Sequence, residues 1–151
     1  AELYLNYAEA ANEAYGPNMS VASEVGGMTM TAADAVNAVR ARVGMPAVSS
    51  TDANAFRYRI RNERRVEFAF EAVRFYDVRR WMEIDKTDRV VTGMRPVEQA
   101  DNSYAYERYV VSQRNSYEDK FLRMPLPYSE VVKMYKHTGM DWQNPGWEGA
   151  Q

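Results

Sequence analysis

The stretch that decides the fold is an arginine-rich segment, Arg57–Trp81, with the sequence RYRIRNERRVEFAFEAVRFYDVRRW. Its residues follow a helical pattern when they are placed about 100° apart around an axis. Two carboxylates, Glu63 and Glu67, fall in the middle of the apolar side, and Arg59 lies near its edge. These charges do not lie where a simple amphipathic helix would place them. The apolar side itself gathers Phe56, Ile60, Val66 and Phe70.

Carboxylates on an apolar helix face need partners, because an isolated buried charge is costly. Planar guanidinium groups suit this role, since their donors match the two oxygens of a carboxylate. We therefore expect a structural ion-pair network within and around the arginine segment. Its predicted members are Glu63, Glu67, Arg59, Arg74 and Arg79, with Arg40 and Arg42 as further arginine candidates.

Two alternative functions compete with this interpretation. Paired carboxylates serve as acid and base in glycoside hydrolysis, but carboxylates one helical turn apart usually serve architecture. Arginine-rich helices also bind nucleic acid. Against this, the net charge is -2, and acidic residues interrupt the segment at Glu63, Glu67, Glu71 and Asp77. The pattern favours a protein that is not an enzyme and does not bind nucleic acid.

The bulk composition limits the remaining chemistry. A chain of 151 residues suits one domain or a part of a larger protein. The absence of cysteine excludes disulfides and thiolate metal sites, and a single histidine excludes histidine-rich ones. No apolar run is long enough to span a bilayer. We predict no metal and no cofactor.

The pattern before the arginine segment predicts a helix hairpin. Residues 2–15 form a first helix with Tyr4, Ala8, Ala11 and Tyr15 on one face. A loop over residues 18–30 carries apolar side chains that we expect to pack. Thr31 and Asp34 then form a capping box for a second helix, which Gly44 ends. Its apolar stripe comprises Ala35, Val36, Val39 and Val43.

The rest of the chain is predicted to be a third helix followed by a mixed region. The third helix begins near Ala53, breaks near residues 72–75 and continues to Trp81. Residues 89–93 and 104–111 predict a β-hairpin or an irregular extended pair, and residues 129–136 predict a short helix before a loop tail. The predicted class is mainly α, with a tetratricopeptide-like helix hairpin. We expect a single domain, 1–151, with a helical part over 1–86 and a mixed part over 87–151.

Several motifs together resemble one bacterial family. The segments RNERRVEFAFE, residues 61–71, and RFYDVRRW, residues 74–81, resemble the C-terminal signature of the SusD/RagB family. Further similar segments occur in the same order along almost the whole chain. They are YLNYAEA at 4–10, AVNAVRARVG at 35–44, LRMPLPYSE at 122–130 and QNPGW at 143–147.

The resemblance implies a nutrient-binding lipoprotein of the Bacteroidetes outer membrane. Such a protein captures oligosaccharide, or sometimes peptide, at the cell surface and delivers it to a TonB-dependent transporter. The chain would then be the C-terminal part, with most helix pairs and the lipid-bearing cysteine before Ala1. Its expected role is scaffold. The competing interpretation is a cytoplasmic helical-repeat domain that binds a protein, because the chain carries a helix hairpin.

None of the motifs that carry the resemblance assigns a ligand-binding residue to this chain. Sugar rings stack on exposed aromatic side chains, so the aromatics outside the strong helices are the candidates. Tyr104 and Tyr106 form the best pair, because alternate residues of a strand share one face. Trp142 is a third candidate, and Tyr109 and Trp147 complete the set.

Overall fold

The computed structural model describes residues 1–20, 29–84, 89–113 and 117–149. The chain forms two compact units, residues 1–74 and 75–151. The predicted boundary between the helical part and the mixed part, at 86/87, lies outside the described residues. Most of the apolar loop expected over 18–30 also lies outside them. The single-domain organisation stays a prediction. In the described ranges, no helix is both long and apolar enough to cross a bilayer.

Helix α1 comprises Glu2–Tyr15 and buries a narrow stripe in its middle. Asn12 is tolerated in this stripe because its Nδ2 donates to the carbonyl of Ala53 at 2.9 Å. The predicted face is wrong at its two tyrosines. Tyr4 and Tyr15 lie in the terminal turns and are exposed. The buried residues are Leu5, Ala8, Ala11 and Asn12.

Helix α2 comprises Ala32–Ala41, and the predicted capping box at its start is confirmed. The Thr31 N–H donates to Oδ2 of Asp34 at 2.9 Å, and the Asp34 N–H donates to the Thr31 hydroxyl oxygen at 3.0 Å. The hydrogen bonds from the Thr31 N–H and then its hydroxyl hold the pKa of Asp34 below its ordinary value. Val43 is exposed, contrary to the predicted stripe, because α2 ends before it.

Helix α3 comprises Ala53–Glu67, and the Asp52 side chain caps its first turn. The prediction that Val66 lies on the apolar side is wrong. Val66 is exposed, since it lies about 200° around the helix from the buried Arg64. Phe70 is also exposed, because the helix has ended before it. The buried residues of α3 are Phe56, Ile60 and Arg64, at successive turns of one stripe.

The predicted interruption of the arginine segment occurs, but earlier than expected. Helix α4 comprises Val73–Arg80, so the break occupies residues 68–72 and not 72–75. Phe70 and Ala72 adopt left-handed backbone conformations, with φ of 68° and 60°. A continuous right-handed helix excludes such conformations. The arginine segment is therefore two helices joined by a tight turn.

The core of the first unit forms where α1 packs against α2 and α3. Small side chains dominate it, which lets the helix backbones approach closely at protein packing density. Phe56 and Ile60 of α3 are the largest apolar contributions besides Leu5. The full set is Leu5, Ala8, Ala11, Ala32, Ala33, Ala35, Val36, Val39, Phe56, Ile60 and Phe68.

The second unit contains the predicted β-hairpin. Strand β1 comprises Val90–Glu98 and pairs antiparallel with β2, Tyr104–Gln113. In the turn, Oδ1 of Asp101 accepts hydrogen bonds from the N–H of Ser103 at 3.0 Å and from its hydroxyl at 2.6 Å. Nearly all hairpin residues are exposed on both faces. The mainly α class with one small hairpin is confirmed.

A short helical region follows the hairpin. A 3-10 turn comprises Asp119–Leu122, and helix α5 comprises Tyr128–Thr138. Helix α5 extends slightly beyond the predicted residues 129–136 at both ends. Gly139 ends it in the left-handed conformation, with φ of 71°, which glycine adopts without steric cost.

The capping box yields a prediction about stability and pH. Asp34→Ala should lower the free energy of unfolding by about 1 kcal/mol at neutral pH, because it removes one half of the capping box. The lowered pKa of Asp34 means that this stabilisation is present above the unfolded pKa, about 3.9. It is lost as the pH falls through the folded pKa. Urea unfolding at several pH values measures the difference.

Thr31→Ser is the matched control, since serine keeps the hydroxyl that caps the helix. Its stability should stay close to that of the parent at every pH. A stability loss for Asp34→Ala that is equally large in strong acid would contradict the capping role.

Candidate functional site

The two carboxylates of the arginine segment each contact an arginine of α2. Nη1 of Arg40 lies 2.7 Å from Oε2 of Glu63, and Nη2 of Arg42 lies 2.6 Å from Oε1 of Glu67. The first pair is well protected, with side chains 15% and 13% exposed, whereas the Arg42 side chain is 62% exposed. The acidic side chains of α3 therefore bind it to α2.

Two arginines of α3, Arg57 and Arg64, contact α1 instead. Arg57 donates from Nε and Nη2 to the two carboxylate oxygens of Glu13, the second at 2.6 Å. These hydrogen bonds hold the pKa of Glu13 below its ordinary value and raise the pKa of Arg57. Arg64 is only 4% exposed. Its Nη1 donates to Oδ1 of Asn6 at 2.6 Å, and its Nε lies 4.0 Å from a carboxylate oxygen of Glu9.

Arg64 is the residue that sequence reasoning missed. Arg64 is not among the members of the ion-pair network that the helical pattern predicts. The signal was its position four residues after Ile60 and eight after Phe56, which puts it on their stripe. Its guanidinium also lies 5.2 Å from the centre of the Phe68 ring. Long charged side chains cover apolar surface with their stems, which allows this burial.

The remaining predicted members of the ion-pair network are Arg59, Arg74 and Arg79. Arg59 is exposed and forms no ion pair among the described residues. Arg79 donates from Nη1 to the carbonyl of Phe75 at 2.7 Å, and its guanidinium stacks 3.4 Å from the centre of the Phe75 ring. The membership of Arg59, Arg74 and Arg79 in one network with Glu63 and Glu67 stays a prediction.

The hairpin presents the tyrosines that were predicted as a sugar platform. Tyr104 and Tyr106 pair with Glu98 and Pro96 of β1 and therefore lie on the same face of β2. They are 57% and 67% exposed. Tyr109 lies on the opposite face, where Arg95 covers its ring at 5.3 Å. Both rings are thus open on one face of β2, where a sugar ring could stack against either of them.

The tail after α5 holds the preceding extended segment through side chains. The Gln143 side chain forms two hydrogen bonds with the backbone of Leu126. Its Oε1 accepts from the N–H at 2.7 Å, and its Nε2 donates to the carbonyl at 3.0 Å. Asn144 donates to the carbonyl of Met124 at 2.6 Å. Nε1 of Trp147 contacts the carbonyls of Lys120 and Arg123 at 3.0 and 3.1 Å. We call Gln143, Asn144 and Trp147 the tail clamp, and all three belong to the QNPGW segment.

The clamp also decides which tryptophan is available to a ligand. Trp147 packs edge-on against Phe121, with ring centres 5.9 Å apart, and is half-buried. Trp142 is exposed, and its Nε1 donates to the hydroxyl of Thr138 at 2.9 Å. Trp142 is therefore the more exposed of the two tryptophans, whereas Trp147 takes part in the clamp.

A concave surface of about 470 Å³ lies in the second unit and carries three arginines. We call it the Arg79 cavity. Its lining includes Phe75, Tyr76, Arg79, Arg80, Arg123 and Met124. No group of three or more His, Asp or Glu side chains in the described ranges is placed to hold a metal ion.

The two ion pairs between α2 and α3 should differ in strength. A double-mutant cycle with Arg40→Ala and Glu63→Ala should give a coupling energy of about 1–2 kcal/mol, because this pair is shielded from water. The Arg42 and Glu67 cycle is the matched control. It should give at most about 0.5 kcal/mol, because one partner is exposed. Urea unfolding measures both cycles, and equal coupling energies would contradict the shielding argument.

The tail clamp should be visible by hydrogen exchange. Gln143→Ala removes the acceptor of the Leu126 N–H, so this amide should exchange at least about tenfold faster. Gln99→Ala in the hairpin turn is the control, since among the described residues its side chain binds only the Val97 carbonyl. Unchanged Leu126 exchange in Gln143→Ala would show that the clamp does not hold this segment.

The family model described as the SusD family matches residues 1–147. A crystal structure of a SusD-like protein from Bacteroides fragilis NCTC 9343 is similar to this chain, with a TM-score of 0.69 and 36% identity. The match covers 96% of this chain and 24% of that chain. No curated protein matches. The predicted resemblance is confirmed, and the chain belongs to the SusD family.

Proposed function

We propose that this chain is the C-terminal scaffold of a protein that binds glycans for nutrient uptake at the outer-membrane surface. The protein would be lipid-anchored and would deliver oligosaccharide to a TonB-dependent transporter. The single observation that carries the proposal is the SusD family match over residues 1–147. The similar Bacteroides fragilis protein supports the same assignment at 36% identity.

The scaffold role is supported by how the first unit uses its charges. Arg57 and Arg64 of α3 contact α1, whereas Glu63 and Glu67 contact α2. These contacts engage the carboxylates that a hydrolase would require. In this proposal helix α3 stabilises the helix packing and does not contact the ligand.

The ligand-contacting role is assigned to the exposed aromatic side chains of the second unit. Tyr104 and Tyr106 share one open strand face, and Trp142 exposes its ring after α5. Aromatic rings stack on the apolar C–H faces of sugars at little cost in conformational freedom. A cytoplasmic protein-binding repeat has less support, because its basis is one helix hairpin and such arrays need several.

Glycan titration tests the ligand-contacting role. In the complete protein that carries this chain, Tyr106→Ala should weaken oligosaccharide binding about two- to tenfold, because it removes one stacking ring. Tyr128→Ala is the matched control, since that tyrosine is similarly exposed but lies on α5. Isothermal titration calorimetry with a panel of oligosaccharides and peptides measures the affinities.

The outcomes separate the two levels of the proposal. Binding that is unaffected by Tyr104→Ala, Tyr106→Ala and Trp142→Ala would contradict these contacts and leave the scaffold role intact. Binding to no oligosaccharide and no peptide would contradict the proposed function itself. Co-purification of the complete protein with a TonB-dependent transporter from outer membranes tests delivery, and its failure would contradict that partner.

A further inference from the structure

The Arg79 cavity combines positive charge with apolar surface. Three of its lining residues are arginines, and none of the described residues that line it is Asp or Glu. Arg80 is largely neutralised, because its Nη2 lies 2.8 Å from Oδ1 of Asp77. Arg79 and Arg123 differ from it. Neither has a carboxylate within ion-pairing distance in the part of the chain that the structure describes. The cavity thus holds two cations whose charge is not compensated locally.

The guanidinium of Arg79 is held in a fixed orientation. It stacks 3.4 Å from the centre of the Phe75 ring, and Nη1 donates to the Phe75 carbonyl at 2.7 Å. Its Nε is buried and has no hydrogen-bond acceptor among the described residues. A buried donor without an acceptor is costly, so an acceptor from a ligand would be favoured here. A preorientated guanidinium also loses little conformational freedom when it binds.

The remaining lining suits a ring with an apolar face. Tyr76 is exposed and meets Phe75 edge-on, with ring centres 5.2 Å apart. Met82 and Met124 are exposed and add flexible apolar contact. A ligand that matches all of these features carries a carboxylate on a compact ring whose C–H face can lie on an aromatic side chain.

We propose that the Arg79 cavity binds the uronate residues of an acidic oligosaccharide. Arg79 and Arg123 would bind the sugar carboxylate, and Tyr76 would support the ring. This inference rests on the proposed glycan-binding function and names a class of substrate for it. Tyr104 and Tyr106 are not among the residues that line this cavity.

The experiment compares ligands that differ only in charge. Tetragalacturonate and its fully methyl-esterified form share the same rings, and only the first carries carboxylates. The complete protein should bind tetragalacturonate, or an alginate or hyaluronan tetrasaccharide, at least about tenfold more tightly than the esterified ligand. The preference should decline as the ionic strength rises, because added salt screens partly exposed charges.

Variants assign the effect to the cavity. Arg79→Gln and Arg123→Gln should each weaken uronate binding about tenfold or more, since each removes a charge-assisted contact. Arg79→Lys should recover part of the affinity, which a merely structural defect would not allow. Arg95→Gln is the matched control, because this exposed arginine lies on the hairpin. Circular dichroism and thermal unfolding check that each variant is folded.

The failures are distinguishable. Binding of neutral oligosaccharides without any uronate preference would overturn this inference and leave the proposed function standing. Equal affinity for tetraglutamate would overturn it too, because the site would then recognise carboxylates without the sugar ring. Binding to no saccharide at all would overturn both the inference and the proposed function.

Discussion

The first unit depends on the distribution of charge around α3. This helix is strongly basic, and its buried stripe includes the guanidinium of Arg64, which side chains of α1 contact. Arg57 and Arg64 face acidic and amide side chains of α1, while Glu63 and Glu67 face arginines of α2. The side of α3 that faces α1 is therefore positive, and the side that faces α2 is negative. Exchanging the positions of α1 and α2 would bring like charges together.

Arg64 is the most demanding of these contacts. A buried charge that loses its partners costs several kcal/mol, so Asn6 and Glu9 of α1 must remain beside it. The small residues of α1 and α2 make this geometry possible, since they let the helices approach closely enough for short hydrogen bonds. Apolar packing and the ion pairs therefore specify the same arrangement of three helices.

The second unit is organised by a different principle, in which side chains provide hydrogen bonds to extended backbone. Gln143, Asn144 and Trp147 together engage backbone groups between Lys120 and Leu126. The hairpin, in contrast, is exposed on both faces. A two-stranded ribbon of this kind gains little stability from burial, so its exposed aromatic and basic side chains are suited to binding.

The sequence by itself determined the elements that have local causes. The Thr31 and Asp34 capping box and the β-hairpin follow from nearby residues, and the structure has them. The family could also be recognised from ordered motifs. Tertiary structure alone decided the burial of Arg64, the exposure of Val66 and the choice of Arg40 as the partner of Glu63. Helical periodicity gives the direction of a side chain, but the neighbouring helices determine whether a charge there finds a partner.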